Sequence, residues 1–317
     1  MARPRRTEDL VANLLQAIAP RAKSLIITVY GDAILPHGGS AWLGSLIDLM
    51  AHFDMSERIV RTSVFRLGKD DWLTNTQIGR RSFYRVTESG RERFAAAERR
   101  IYAPLVRYWD RGWHMVLIGQ PSIGPELREK LRSELAWLGF GAVAPNVLTH
   151  PAYDEAALHR LLRELGVADK VVVMRAEHDR SSGFGAMREL VRDCWDIERL
   201  EADYAGFLTR FRPVWQALEG ADELDPRQCF LLRTLMIHDF RRILLRDPLL
   251  PPDLLPHDWP GQASRMLTRN IYRLILGPSE SYVMNGLTTA DGPLPEAAPS
   301  FLDRFGGLGE EQGRMAG

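Results

Sequence analysis

Four cations and a hydroxyl recur through the stretch SERIVRTSVFRLGK: Arg58, Arg61, Thr62, Arg66 and Lys69. Two more cations, Arg80 and Arg81, follow shortly in IGRRS. Guanidinium groups in such a series displace counterions from phosphates, and they are long enough to reach paired acceptors on base edges. Arg58, Arg61 and Arg66, spaced by three and then five residues, cannot share one narrow helical stripe. Arg58, Arg61 and Thr62 cluster near the start of the segment, where a groove-bound helix reads bases, and Arg66 with Lys69 is suited to phosphate. Arg80 and Arg81 would lie in or over the adjacent minor groove. The bland alternative is a surface helix with solvated charges; the basic tip that follows at once favours the nucleic-acid reading.

These side chains need a rigid mount, and the flanking sequence provides one. Ser56 can cap a helix, Glu57 stands at its positive end, and Val60, Val64 and Leu67 recur at helical spacing as an inward face. DWLTNTQIGRRSFYRVT reads as strand, turn and strand with IGRRS at the tip. Upstream, AWLGSLIDLMAHF puts Trp42, Leu43, Leu46, Ile47 and Met50 on one helical face. Helix, short turn, helix and hairpin is the order of a winged helix-turn-helix, expected over residues 21–90. SLIITVYGDAIL is β-branched enough to read as a strand, and its period alone leaves helix or strand open. Residues 1–20 read as a basic arm and a short amphipathic segment ending at Pro20, either lying along a phosphate backbone or idle.

The rest of the chain divides by composition. Residues 91–111 read as a connector helix. Over 112–180, strand, helix, extended segment, helix and strand follow one another from WHMVLIG to KVVVMRAEH, which predicts a ferredoxin-like α/β sandwich. Residues 181–287 read as a helical domain for effector binding or dimerisation, and 288–317, rich in Gly, Pro, Ala and acids, as a loose tail. The expectation is a multidomain α+β protein.

The net charge of zero over 317 residues hides an asymmetry: through Arg111 there are 18 Lys and Arg against 12 Asp and Glu, and 23 against 29 thereafter. The two halves therefore suit different partners. Cys194 and Cys229 form no CxxC pair, which argues against a disulfide framework and for a reducing cytoplasm. No apolar run is long enough to span a membrane, and the first apolar run is interrupted by Asn13 and Gln16, unlike a signal peptide.

Catalytic chemistry is poorly represented. His238 with Asp239, and His257 with Asp258, are adjacent pairs whose side chains point apart, with no third partner set by spacing. SSGFGA and PHGGS lack the lysine and the strand-to-helix context of a phosphate loop, and no G-x-S-x-G elbow occurs. No catalytic residue, metal ligand or cofactor is assigned. An effector site is better supported: in HDFRRILLRDPLLPPDLLPHDWPG, Arg241, Arg242 and Arg246 accompany His238, Trp259 and many leucines. An apolar pocket rimmed by guanidinium groups suits an acyl or aryl group carrying phosphates, unless the arginines pair with Asp239, Asp247 and Asp258.

Four blocks in order carry a family likeness: SLIITVYGDAILPHGGSAWLGSLIDLMAHFDMSERIVRTSVFRLGKDDWL, SFYRVTESG, LAWLGFGAVAPNVLTHP and HDFRRILLRDPLLPPDLLPHDWPG. Together they closely resemble the PaaX family of bacterial transcriptional repressors, from about residue 20 to 285, and SERIVRTSVFRL also looks like the recognition helix of the wider GntR class. The resemblance implies that SLIITVY is the first helix of the DNA-binding domain. It implies a homodimer on a palindromic double-stranded operator of phenylacetate catabolic genes, released by an aryl-coenzyme A thioester such as phenylacetyl-coenzyme A. The family's middle domain resembles the small CRISPR-associated endonucleases, and family members commonly end its first strand with an Asp. Gly119 and Gln120 stand there instead, so the domain reads as a dimerisation or relay module. Two alternatives remain: a metal-dependent nucleic-acid enzyme using that domain, and a regulator answering to a protein partner.

Overall fold

The structure, a computed structural model, describes residues 4–103, 109–119, 123–177, 183–221 and 223–308. It divides into two compact units. The first comprises Met1–Pro104, Gly206–Arg242 and Ala263–Gly317, and the second Leu105–Ala205 and Ile243–Gln262.

The first unit opens with α1 (Pro4–Ile18), so most of the expected basic arm is helix. Val11, Leu14 and Ile18, three and four residues apart, bury one side of it. Next comes α2 (Ala22–Val29), which continues through a π-helical turn, Tyr30–Ile34, and a short 3-10 turn, Leu35–His37. SLIITVY is therefore helical, as the family likeness implies. Leu25, Ile26, Val29 and Tyr30 are buried at helical spacing, and that burial outweighs the strand preference of the β-branched residues. Then follow β1 (Ser40–Trp42), α3 (Leu43–Ala51), α4 (Glu57–Lys69), β2 (Leu73–Ile78), β3 (Arg81–Val86) and α5 (Glu88–Tyr102). The three strands form an antiparallel sheet in the order β1-β3-β2, with Phe83 opposite both Trp42 and Thr76. The turn between β2 and β3 is Gly79 and Arg80, Gly79 supplying the positive φ a tight hairpin requires.

In the second unit β4 (Gly112–Ile118), α6 (Pro125–Trp137), β5 (Gly141–Ala144), β6 (Val147–His150), α7 (Glu155–Glu164) and β7 (Val171–Glu177) build a sheet of order β5-β6-β4-β7, antiparallel at every pairing. This is one strand more than the sequence predicts, because AVAPNVLTHP turns at Pro145 and Asn146 into a hairpin. Val116, Ile118 and Leu148 pack from the sheet against Leu131 and Leu135 of α6 and Leu158 and Leu162 of α7. A second cluster gathers Trp109, Trp113, Ile197 and Leu250 around Met187 and Val191 of α8 (Phe184–Cys194). The stretch MRELVRDCWDIERLEADYAG is not one continuous helix: Trp195 turns extended and donates to the Gly139 carbonyl at 2.8 Å, and Asp196 accepts the Arg199 backbone N–H at the start of α9 (Ile197–Glu219).

The remaining elements are α10 (Pro226–Leu244), α11 (Pro260–Gly286), the two-residue strands β8 (Thr288–Thr289) and β9 (Gly292–Pro293), and a 3-10 segment, Pro299–Gly306. The expected loose tail is folded as far as Leu308, with Phe301, Arg304 and Phe305 buried. The helical region expected over 181–287 is shared between the units, much of it belonging with the N-terminal elements.

The reason is a buried polar network. Asp32 in the π-helical turn accepts from Arg233 Nε at 2.7 Å, Tyr102 at 2.6 Å, Tyr272 at 2.9 Å and Arg304 Nη1 at 3.1 Å. Arg233, on α10, also bonds Glu280, whose other oxygen lies 2.9 Å from His37 Nε2, and Arg304 reaches Glu98 at 3.0 Å. Arg233 is 0 % exposed, and Asp32 and Arg304 are each 3 % exposed, so none has water as a fallback partner. Burial alone would raise the Glu280 carboxyl, but Arg233 and His37 outweigh it and hold it at about 2. Arg265 completes the frame by donating to the carbonyls of Arg100, Ile101 and Ala103 at the end of α5.

Candidate nucleic-acid interface

The helix α4 is held by Val60, Ser63, Val64 and Leu67, all buried. At about 100° per residue, the opposite arc of about 140° carries Arg58, Arg61, Thr62, Phe65, Arg66 and Lys69. All six are exposed. Arg61 and Arg66 stand at opposite margins of the arc, with Arg58, Phe65 and Lys69 along its middle. Phe65, not among the expected site residues, is 59 % exposed at the centre of this face. Its signal in the sequence is position: a large aromatic between Arg61 and Lys69 that falls off the Val60–Val64–Leu67 stripe.

The cations differ in what occupies them. Arg61 forms an ion pair with Glu57, Nε to Oε1 at 2.7 Å, but both side chains are more than half exposed, so a phosphate or base edge can displace the carboxylate cheaply. Thr62 donates to the Arg58 carbonyl at 2.8 Å. Lys69 Nζ lies 4.9 Å from the Phe65 ring centre. Among the described residues, Arg58, Arg66 and Arg80 have no side-chain partner. Arg80 sits exposed in the hairpin turn, whereas Arg81, the first residue of β3, stacks on Trp42 with its guanidinium 4.7 Å from the ring centre. The C-terminal end of α4 is tied down separately: Lys23 pairs with Asp70, and Arg93 donates to the Asp70 carbonyl at 2.9 Å.

The five expected effector residues fall in both units. His238, Arg241 and Arg242 belong to the first unit, Arg246 and Trp259 to the second. His238 is 1 % exposed, with Nδ1 2.9 Å from Thr28 Oγ1 on α2. Burial, then the charges of Arg241 and Arg242, push its pKa down to about 3, so it is a neutral link in the core. Arg241 Nη2 reaches Ser24 Oγ at 3.3 Å, and Arg242 is exposed. Arg246 pairs with Asp203 at 3.0 Å, and Trp259 meets Tyr204 edge-on at 5.7 Å between centres. Asp239, expected as a local partner for these arginines, is engaged by Arg210 at 2.7 Å.

Both cysteines are free; burial pushes the Cys229 thiol up to about 12, and Cys194 is partly exposed. Among the described residues no three His, Cys, Asp or Glu gather as a metal site, and no helix is long and apolar enough to cross a membrane. Gly119 is exposed after β4, and Gln120 lies outside the described residues.

Family models match the chain in three consecutive blocks: PaaX-like protein at 21–90, the PaaX protein central Cas2-like domain at 106–191, and the PaaX-like protein C-terminal domain at 195–285. The chain belongs to the PaaX family. A curated PaaX relative, "Transcriptional repressor PaaX" of Escherichia coli (strain K12), is 37% identical over 306 residues, covering 96% of each chain. Among solved structures, "Uncharacterized protein Rv0674 from Mycobacterium tuberculosis" is similar with a TM-score of 0.54 and 23% identity, over 82% of this chain and 97% of that one, a likeness of fold. The middle of this PaaX-family chain, with its four-stranded sheet, is thus Cas2-like.

Proposed function

We propose that this PaaX-family chain is a DNA-binding transcriptional repressor. In this reading α3 and α4 are the helix pair of a winged helix-turn-helix, the β2–β3 hairpin is its wing, and the second-unit sheet is a ferredoxin-like sandwich. The observation that carries the reading is the exposed arc of Arg58, Arg61, Thr62, Phe65, Arg66 and Lys69 opposite the buried face of α4. Such a face both neutralises phosphates and reaches base edges. The name of the Escherichia coli relative supports repression, and the family likeness supports the remaining details. Two copies would act as a homodimer on a palindromic double-stranded operator, each inserting α4 into a major groove about one helical turn or more from the other. The controlled genes would be those of phenylacetate catabolism, and an aryl-coenzyme A thioester, phenylacetyl-coenzyme A first among them, would release the protein. A coupling of about 1–3 kcal/mol between effector and DNA suffices for a 5- to 150-fold change in affinity. The setting is the bacterial cytoplasm. A repressor is not an enzyme, and no turnover is assigned to the Cas2-like domain.

Gel shifts against salt concentration test the reading. Arg61→Ala is expected to weaken operator binding by about 1–3 kcal/mol and relax base preference, whereas Arg80→Ala weakens all duplexes alike and reduces the salt slope by about 1. An unchanged footprint and affinity in Arg61→Ala would remove α4 from the interface.

A further inference from the structure

A guanidinium withdrawn from water ordinarily takes a carboxylate with it, because a desolvated charge without a counter-charge is costly. Arg241 departs from that pattern. It is largely covered, its Nη2 bonds the neutral Ser24 hydroxyl at 3.3 Å, and its Nε is buried with no partner. No carboxylate among the described residues pairs with it. Two residues back along α10, Asp239 turns to Arg210, whose Nε and Nη2 both bond its Oδ2, at 2.9 and 2.7 Å. Arg242, the next residue, adds a second cation at the exposed edge. His238, one turn earlier, is neutral and committed to Thr28, so it brings no counter-charge. Arg241 thus carries a positive charge with no carboxylate beside it, and Ser24 and Thr28 stand one helical turn apart on α2.

We propose that Arg241, with Ser24 beside it and Arg242 at its rim, binds the oxyanion of a small molecule, a phosphate or a carboxylate. The fork of a guanidinium matches either anion with two parallel N–H···O bonds, and the Ser24 hydroxyl adds a third donor. The site deepens the ligand-released reading and rests on it: the charged group of the effector would enter here. It also supplies a route to the DNA-facing helix. Ser24 follows Lys23, which clamps Asp70 at the end of α4, and α2 packs directly on α4. An anion that draws Arg241 and Ser24 together shifts α2 and, with it, the helix that carries the DNA-facing arc.

The test uses the full-length chain, calorimetric titration and thermal melting, with pyrophosphate, coenzyme A and phenylacetate as probes. At least one should bind the natural protein saturably and raise its melting temperature. A response to pyrophosphate and coenzyme A assigns the site to phosphate, and a response to phenylacetate assigns it to carboxylate. Arg241→Met should weaken that probe about tenfold or more, and Ser24→Ala by a smaller factor. Because Arg241 is an uncompensated cation, Arg241→Met should also melt no lower than the natural protein when no anion is present. Failure of every probe to bind, equal binding to Arg241→Met, or a lower melting temperature of Arg241→Met without anion would each overturn the assignment. Operator gel shifts without any probe report separately on the repressor reading: intact operator binding together with failed anion binding sinks only the site.

Discussion

Replacing Arg233 with Met keeps most of the side-chain volume and removes its charge from the interior of the first unit. Four hydrogen bonds go with it: Nε to Asp32 Oδ2 at 2.7 Å, Nη2 to the Asp32 carbonyl at 2.9 Å, Nη1 to Ser279 at 3.2 Å, and the bond to Glu280. Asp32 keeps Arg304, Tyr102 and Tyr272, and Glu280 keeps His37, so the carboxylates are weakened in support but not abandoned. Breaking one side of a buried ion pair costs about 3–5 kcal/mol, a large share of a typical total of about 5–15 kcal/mol. With a urea dependence of about 3 kcal/mol per molar, the midpoint should fall by about 1–2 M, read by far-ultraviolet circular dichroism. The double variant Asp32→Asn with Arg233→Met should lose less than the sum of the single losses, by about 1–3 kcal/mol. A midpoint for Arg233→Met within about 0.2 M of the natural protein would show that the network does not hold the unit together, and the account of why α10 belongs with α2 would fail.

The core histidine predicts an acid dependence. His238 has a folded pKa of about 3 against an ordinary value of 6.5, so below pH 6.5 the unfolded chain takes up the proton first, and stability falls as pH drops from about 6.5 toward 3. Glu280 adds its own loss only lower, between 4.5 and about 2, so urea midpoints between pH 6.5 and 5 should slope in the natural protein and flatten in His238→Gln. Phe65 at the centre of the α4 face is suited to a thymine methyl group. Operators carrying uracil for thymine should bind the natural protein more weakly and Phe65→Ala unchanged, and equal sensitivity of the two proteins would exclude the contact. A fragment ending at Pro104 should lack a cooperative melting transition, because Asp32 would lose Arg233, Tyr272 and Arg304 together; a sharp transition by calorimetry would contradict this.

What could be read from the sequence was what a local period encodes. The α4 helix was legible because Val60, Val64 and Leu67 mark one side and leave the cations to the other, and the hairpin was legible from its glycine tip. Helix α2 was ambiguous because its β-branched residues favour a strand, while burial on several sides, which local pattern does not report, makes it a helix. The extra strand in AVAPNVLTHP was hidden by a short, weakly apolar β5. Of the residues expected at an effector site, His238 and Arg241 share a helix face, but spacing said nothing of burial, and burial turns His238 into a core link. The Asp32–Arg233 pair joins residues 201 positions apart, beyond any local pattern. A trace was present: Arg233 stands alone inside CFLLRTLMI, and Asp32 alone inside IITVYGDAIL, and a solitary charge in an apolar run needs an opposite number somewhere.

Arg304 joins that network from a position late in the chain, yet it closes around an aspartate near the start. During synthesis the two cannot meet until residue 304 has left the ribosome, so no shorter product completes the network. A copy cut short before that point would therefore carry the exposed cations of α4 on a poorly supported scaffold.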